Sequence, residues 1–302
     1  MLFRKKSKDL KNWLNSSKNA ILITGARQTG KTFLIRSVLQ EENADFVELN
    51  LLRQPELVRL FDSAKNGAPQ EFLTRLSLAT TKKLTRGKTI IFLDEVQEYK
   101  DILTVIKFLV EDGSFRYVLS GSLLGVELTD LRSAPVGFLT VVDMFPMDFE
   151  EFITALNIPA SAIENLLYCF ESRSPVDKFV HNKMLDAFYT YLVVGGMPAA
   201  VQKYVDENDL NKVSLIHKDI VRQYKWDFTK YEKENKLHLL EIYDLIPSEL
   251  NSKSKRYTFV SLGAKKKFER YENSFNWLID AGVALPVFNT TEPVIPDRKS
   301  VV

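Results

Sequence analysis

The chain has 302 residues, of which 45% are apolar and 26% are charged, and its formal net charge at pH 7 is +2. These values are typical of a globular protein with a sizeable core and room for two or more domains. So small a net charge does not by itself require a polyanionic partner, and the single cysteine, Cys169, excludes an intramolecular disulfide.

The first twenty residues are basic, but they lack the continuous apolar core of a secretory signal. No run in the sequence approaches the roughly 20 apolar residues of a membrane-spanning helix. The cysteine content suits a reducing compartment. Together these features predict a cytoplasmic protein without a membrane partner.

The first predicted strand is AILIT, residues 20–24, and a helical pattern begins after a loop bracketed by two glycines. Residues 25–32 have the pattern G-x-x-x-x-G-K-T of a phosphate-binding loop. Its glycines allow the backbone N–H groups to surround phosphates. Lys31 would reach the β- and γ-phosphates, and the Thr32 hydroxyl would ligate Mg²⁺. The predicted nucleotide contacts are Gly25, Ala26, Arg27, Gln28, Thr29, Gly30, Lys31, Thr32 and Phe33.

A second strand and a helical stretch come next. The sequence DFVELNL, residues 45–51, predicts a strand, and residues 56–84 have helical apolar spacing that is interrupted around KNGAPQ. Because this unit precedes the next motif, we expect the two motif strands to be separated by an intervening strand in the sheet.

The next predicted strand ends in two acidic residues. Residues 90–93 are apolar throughout, which is typical of a strand buried on both faces of a parallel sheet. Asp94 and Glu95 follow at its carboxyl end, where open α/β sheets bind their ligands. Taken alone, this pattern fits a solvated strand end equally well. After a phosphate loop, it predicts that Asp94 holds Mg²⁺ and that Glu95 orients and polarises an attacking water.

Two more strands complete the predicted sheet. A helix over ILTVIKFLVEDG leads to the strand FRYVLSGS. Its final serines, Ser120 and Ser122, are placed to sense a γ-phosphate or to position the water, although a simple Ser-Gly turn explains each equally well. We assign Ser120 a candidate catalytic role. GFLTVVDM predicts a fifth strand, and Asp148 with Glu151 has the spacing of a capping box that opens the following helix.

The segments LITGARQTGKT, IIFLDEVQ, YVLSGSLLG, MFPMDFEEFI and YLVVGGMPAAV, in this order, resemble a widespread prokaryotic family of AAA+-type ATPases. The resemblance extends to about residue 290. It implies an additional-strand P-loop ATPase core, ATP and Mg²⁺ as ligands, and the roles given above for Lys31, Thr32, Asp94 and Glu95. It also implies a helical and winged-helix C-terminal region of uncharacterised function.

The sequence departs from the family pattern in one place. Many relatives have a Gly-Arg pair before the fifth strand, where this chain has Gly137-Phe138. Arg27 and Arg132 are weak substitutes, so we assign no arginine finger, although a homo-oligomer is a candidate because such relatives often assemble. Rival P-loop classes fit less well: the Asn-Lys-x-Asp motif of a GTPase is missing, and a kinase would not need a glutamate directly after Asp94.

From about residue 156 helical patterns dominate. Pro159 and Pro175 stand at predicted helix starts, and the Gly-Gly-Met-Pro sequence at 195–198 predicts a turn. The three histidines, His181, His217 and His238, lack ligand spacing to one another or to Cys169, so we predict no zinc site.

The last part of the sequence suggests an incomplete winged helix. A helix ending near Pro247, a short element TFVSLG, an amphipathic helix KKKFERYENSFNWLIDAGVA and a strand ALPVFNTT follow the order of that fold. Residues 251–270 contain seven Lys or Arg and one acid, a local charge of +6. Lys265, Lys266, Lys267 and Arg270 are candidate DNA contacts. A solvated basic face used for protein contacts is the alternative.

The predicted organisation is an α/β P-loop NTPase domain with a parallel sheet at 1–155, a helical region at 156–235 and a winged-helix-like domain at 236–296. Residues 297–302, Asp-Arg-Lys-Ser-Val-Val, match a translated library adapter, so we expect a non-native tail and a missing C-terminal domain. The expected function is Mg²⁺-dependent ATP hydrolysis coupled to a C-terminal region that binds DNA or a protein. A nucleotide-gated switch with negligible turnover is the alternative.

Overall fold

The computed structural model describes residues 2–65, 69–80, 82–99, 101–122, 137–231, 235–253, 257 and 271–287. The chain forms two compact units, Met1–Asp227 and Phe228–Val302. Across these described ranges, none of the helices has the length and apolar character needed to cross a membrane.

The first unit is built on a five-stranded parallel sheet of order β2-β3-β4-β1-β5. Its strands are β1 (Ala20–Thr24), β2 (Phe46–Asn50), β3 (Ile90–Asp94), β4 (Arg116–Gly121) and β5 (Leu139–Asp143). The predicted intervening strand is confirmed, because β4 lies between the motif strands β1 and β3. The α/β P-loop NTPase fold class is likewise confirmed.

Helices cover both faces of this sheet. They are α1 (Ser7–Ser16), α2 (Lys31–Glu41), α3 (Val58–Lys65), α4 (Pro69–Ala79) and α5 (Ile102–Asp112). Successive strand residues point to opposite faces. Ile21 and Ile23 therefore join a core with α1 and α2, whereas Leu22, Ile91 and Leu93 join a second core with α3, α4 and α5. Burial on both faces explains why these strands are apolar throughout.

The helix predicted at the capping box follows β5 as α6 (Phe149–Ala155). From about residue 156 the described residues are mainly helical, as predicted, with α7 (Ala160–Ser172), α8 (Lys178–Val194), α9 (Pro198–Glu207) and α10 (Leu210–Tyr231). The capping box at the start of α6 has both of its bonds: Glu151 N–H donates to Asp148, and Asp148 N–H donates to the Glu151 carboxylate. Side chains from α6, α8, α9 and α10 enclose a separate apolar core.

The second unit contains α11 (Lys236–Asn251) and α12 (Glu272–Asp280). The predicted end of a helix near Pro247 is wrong, because α11 continues through this proline to Asn251. A proline inside a helix costs about 3 kcal/mol. Leu239 and Ile242 are fully buried on the inner face of α11, and each contributes about 1.5–3 kcal/mol, which offsets that cost.

Several segments of the predicted winged helix lie outside the described residues. This holds for TFVSLG, for the first part of the amphipathic helix and for the end of ALPVFNTT, as well as for the tail at 297–302. The described part of that wing segment, residues 284–287, is not a strand. The winged helix and the non-native tail therefore stay predictions.

Candidate functional site

A cavity of about 280 Å³ opens at the carboxyl edge of the sheet. Its lining residues come from the β1–α2 loop, from α2 and from the ends of β3 and β4. They are Arg27, Gln28, Gly30, Lys31, Thr32, Phe33, Arg36, Asp94, Glu95, Ser120, Gly121 and Ser122. Of the predicted site residues in the first unit, Gly25, Ala26 and Thr29 do not line the cavity. Arg36 and Gly121 line it without having been predicted.

The β1–α2 loop depends on glycine at both ends. Gly25 has φ 146°, and a Cβ atom there would lie 2.1 Å from the Met144 carbonyl oxygen. Gly30 has φ 90° and caps the N-terminus of α2. L-residues rarely adopt either conformation. The first turn of α2, whose residues Lys31, Thr32 and Phe33 line the cavity, is consequently open to an anion.

The Lys31 ammonium group lies under this loop. Its Nζ donates to the Gly25 carbonyl at 2.9 Å and to the Ala26 carbonyl at 2.7 Å. Burial lowers the pKa of Lys31 to about 8, although the nearby carboxylates of Glu95 and Asp94 act in the opposite direction. The protein thus holds a cation in a place where an additional anionic partner would stabilise the charge.

The buried Asp94 carboxylate accepts hydrogen bonds from residues on three other elements. Thr32 Oγ1 on α2 donates at 2.9 Å, Asn50 Nδ2 at the end of β2 donates at 2.9 Å, and Ser120 Oγ on β4 donates a short bond. Asn50 was missed by sequence reasoning. Its signal is its place as the last, polar residue of β2, directly opposite Asp94 in the parallel register.

Glu95 follows with a left-handed backbone, φ 56°. Its carboxylate accepts a 2.5 Å hydrogen bond from Gln97 Nε2, while the Gln97 carbonyl oxygen accepts from the Ser122 N–H at 3.2 Å. Gln97 therefore fixes the Glu95 side chain against the end of β4. Sequence reasoning assigned Gln97 no role, although it stands within the IIFLDEVQ segment.

Helix α10 also contacts the β1–α2 loop. Arg27 NH1 forms an ion pair with Asp227 Oδ1 at 2.8 Å, and the Tyr224 hydroxyl donates to the Arg27 carbonyl at 2.9 Å. The side-chain amide of Gln28 donates through Nε2 to the Gln223 side-chain oxygen Oε1 in a short bond. No sequence signal connects these residues, because the two segments are about 200 positions apart.

A second, predominantly apolar cavity of about 190 Å³ lies beside the first. Gly30 and Phe33 line both cavities, and Leu2, Arg4, Leu34, Pro198 and Gln202 complete the lining of the second. This cavity was not predicted, since it joins the N-terminus of the chain to α2 and α9.

The buried Arg4 guanidinium connects three segments around this cavity. It donates to the Thr29 carbonyl in the loop and to the Phe145 carbonyl after β5, each at 2.6 Å. Its Nε also pairs with the buried Glu151 carboxylate at 3.2 Å. The basic N-terminus thus includes a residue that supports the β1–α2 loop.

The structure does not describe the remaining predicted site residues. Lys265, Lys266, Lys267, Arg270 and Arg132 lie outside the described residues. Within the described part of the chain there is no group of three or more His, Cys, Asp or Glu residues that could hold a metal ion.

Two family models match the chain. One, described as an AAA domain, matches residues 17–153, and the other, described as a domain of unknown function (DUF8612), matches residues 185–301. A comparison with curated proteins finds no match.

Among solved structures, the chain is similar to the Walker-type ATPase of Pyrococcus abyssi, with a TM-score of 0.53 and 16% identity over 93% of this chain and 90% of that one. AMPPCP-bound DnaA from Aquifex aeolicus matches with a TM-score of 0.40 and 11% identity over 92% and 88% of the two chains. The RuvB Holliday junction branch migration motor of Thermotoga maritima matches with 0.41 and 13% over 93% and 88%.

The similarity to the Pyrococcus protein shows the fold alone, and it agrees with the parallel sheet and with the glycine-bracketed loop between β1 and α2. Residues 17–153 of this chain therefore match the AAA domain model and have the P-loop NTPase fold, and residues 185–301 match a family model of unknown function.

Proposed function

We propose that this protein binds ATP with Mg²⁺ and hydrolyses it. One observation carries the proposal: Lys31, Thr32, Asp94 and Glu95, from two separate sequence motifs, line a single cavity at the carboxyl edge of the sheet. A phosphate cradle, a magnesium ligand pair and a carboxylate able to activate water are the parts that phosphoryl transfer to water needs.

The cavity fits a triphosphate. Its loop and the start of α2 supply N–H donors, and Lys31 and Arg27 supply positive charge at its wall. Both present partners of Lys31 Nζ are neutral carbonyl oxygens. Hydrogen bonds from an ammonium to phosphate oxygens are stronger than bonds to neutral carbonyls, so binding of a phosphate is favoured.

The chain also fits Mg²⁺. The Thr32 hydroxyl and the Asp94 carboxylate are hard oxygen donors, and they lie within 2.9 Å of each other. Magnesium in such sites is bound by one or two side chains and otherwise by water and phosphate oxygens, so this pair suffices. When bound, the ion neutralises charge on the phosphate oxygens.

Glu95 is the proposed catalytic base. Gln97 holds its carboxylate in a fixed orientation at the cavity, where the carboxylate can accept a proton from an attacking water. Ser120 donates to Asp94 and lines the same cavity, so we propose that it fixes the Asp94 carboxylate. Lys31 stabilises the charge that develops on the transferred phosphoryl group.

The apolar second cavity is the proposed site of the purine base. It adjoins the phosphate cavity across Gly30 and Phe33, as the base adjoins the phosphates of a nucleotide. Its apolar wall includes Leu34 and Pro198, and apolar surface is suited to the face of a purine.

The domain boundaries at 155, 235 and 296, and a DNA- or protein-binding role for the C-terminal region, are part of the same proposal. The supporting observation for DNA is the local charge of +6 over residues 251–270.

Phosphate release with Mg·ATP tests the proposal. We expect turnover by the wild-type chain, its loss in Glu95→Gln with ATP binding retained, and loss of both in Lys31→Ala. Binding without turnover in the wild type would instead support the nucleotide-gated switch. Turnover that persists in Glu95→Gln would contradict the assignment of the base.

A further inference from the structure

We propose that Asp227 is a positioning residue that holds the Arg27 guanidinium at the phosphate cavity and thereby couples nucleotide binding to helix α10. This inference rests on the proposed function, since it concerns how the same cavity engages phosphate.

The ion pair between these residues is half enclosed. The Asp227 side chain is 7% exposed and the Arg27 side chain 28%, and NH1 lies 2.8 Å from Oδ1. A buried carboxylate that loses its cation is strongly destabilised, so Asp227 restrains the guanidinium in its observed place. That place is at the wall of the phosphate cavity.

The geometry of arginine allows it to hold two anions at once. A guanidinium has five N–H donors in a planar fork, and the bond to Asp227 uses one of them. Nε lies 3.5 Å from Ser122 Oγ at the end of β4. The other donors of the fork suit phosphate oxygens, so phosphate does not have to displace Asp227.

Helix α10 forms hydrogen bonds with the main chain of the β1–α2 loop as well as with the Arg27 side chain. Gln223, Tyr224 and Asp227 share one face of α10, and their partners are the adjacent loop residues Arg27 and Gln28. Ordering of Arg27 by phosphate consequently orders α10. Because binding linkage is reciprocal, whatever orders α10 strengthens nucleotide binding by the same factor.

A double-mutant cycle on binding of the non-hydrolysable analogue Mg·AMPPCP tests this coupling. The variants are Arg27→Ala, Asp227→Asn, the double variant and Arg27→Lys. Asp219→Asn, an exposed aspartate on the same helix, is the matched control. Thermal unfolding of each variant shows whether it is folded, and Lys31→Ala establishes that the phosphate cavity is being measured.

If Asp227 acts through Arg27, each single variant weakens binding by about fivefold or more, and the double variant is no weaker than Arg27→Ala. Arg27→Lys, which keeps the charge but loses the fork, is expected to fall between wild type and Arg27→Ala. The control should stay within about twofold of wild type.

Hydrogen exchange supplies a readout that a merely structural role would not change. AMPPCP should slow amide exchange at residues 219–227 in the wild type and not in Arg27→Ala. Additive losses in the double variant, or equal protection of α10 without Arg27, would overturn the inference while leaving ATP binding intact. Failure of the wild type to bind AMPPCP would overturn the proposed function and the inference together.

Discussion

At Lys31, burial favours the neutral amine, whereas the proposed binding of phosphate requires the charged ammonium group. Burial lowers its pKa to about 8, whereas gripping a phosphate requires the charged form. A lysine with an ordinary pKa would be fully charged throughout the physiological range. A pKa of about 8 lies only slightly above neutral pH, so a small further decrease would discharge the ammonium group. A bound phosphate would favour the charged form of Lys31.

We therefore expect nucleotide affinity to fall as the pH rises above about 8. Above this pKa, Lys31 is deprotonated in the free protein but protonated in the complex, so nucleotide binding must take up one proton. The affinity then falls by up to about tenfold for each pH unit. Titration of Mg·AMPPCP between pH 7 and 9.5 measures the effect. Lys31→Ala is the control and should show weak binding with a flat profile. A flat wild-type profile would contradict the prediction.

Individual residues were predictable where chemistry follows spacing along the chain. The G-x-x-x-x-G-K-T pattern and the two acids after an apolar strand predicted the residues that the cavity brings together. Asn50 and Gln97 had weaker signals, because their roles depend on strand register and on side-chain orientation. Asp227 had none, since only the folded chain brings α10 to the loop.

At the scale of elements, the turn between α8 and α9 explains why a glycine directly precedes Met197. Gly196 packs directly on the Met147 backbone: the Met147 N–H donates to the Gly196 carbonyl at 2.7 Å. A Cβ atom on Gly196 would lie 2.1 Å from the Met147 carbonyl oxygen. The same oxygen accepts a hydrogen bond from the Tyr191 hydroxyl at 2.8 Å. The YLVVGGMPAAV and MFPMDFEEFI segments are thus two sides of one contact.

Gly196→Ala should destabilise the protein by about 2–3 kcal/mol, because the added methyl group meets backbone that cannot move aside. Gly87→Ala is the matched control: it has φ 72° but nothing within 4 Å of the added Cβ, so it should cost about 1 kcal/mol. Urea unfolding midpoints compare the two. Equal losses would show that the contact with Met147 is not tight.

In the first unit, element types and their order followed from apolar periodicity, and the capping box located the start of α6. Element ends were harder to predict. Pro247 was expected to end α11, yet tertiary burial outweighs the lost hydrogen bond. Such a balance depends on neighbours that are distant in sequence.

At the scale of the whole molecule, positive charge is concentrated in the basic segment at residues 251–270. The chain has a net charge of only +2, whereas residues 251–270 alone have +6. Most of the chain is therefore close to neutral or acidic, and it would contribute little to binding a polyanion.

If this segment binds duplex DNA, affinity must fall steeply with salt, because each neutralised phosphate releases counterions. Replacing Lys265, Lys266, Lys267 and Arg270 by alanine should weaken binding and reduce the slope of log K against log salt by about 3–4, at roughly 0.9 per contact. Fluorescence anisotropy over a salt series measures this slope. An unchanged slope would favour the alternative of a solvated face or a protein contact.

The short stretch from Met144 to Met147 is held on two sides at once. Gly25 of the β1–α2 loop meets the Met144 carbonyl, and Gly196 meets the Met147 carbonyl. Between them the Phe145 carbonyl is bonded by Arg4, while the Phe145 ring is half exposed. We therefore expect evolution to conserve the length of this stretch more strictly than its composition. Substitution of Phe145 should be tolerated, whereas inserting or deleting one residue between Asp143 and Asp148 would move one of the two glycines off its carbonyl.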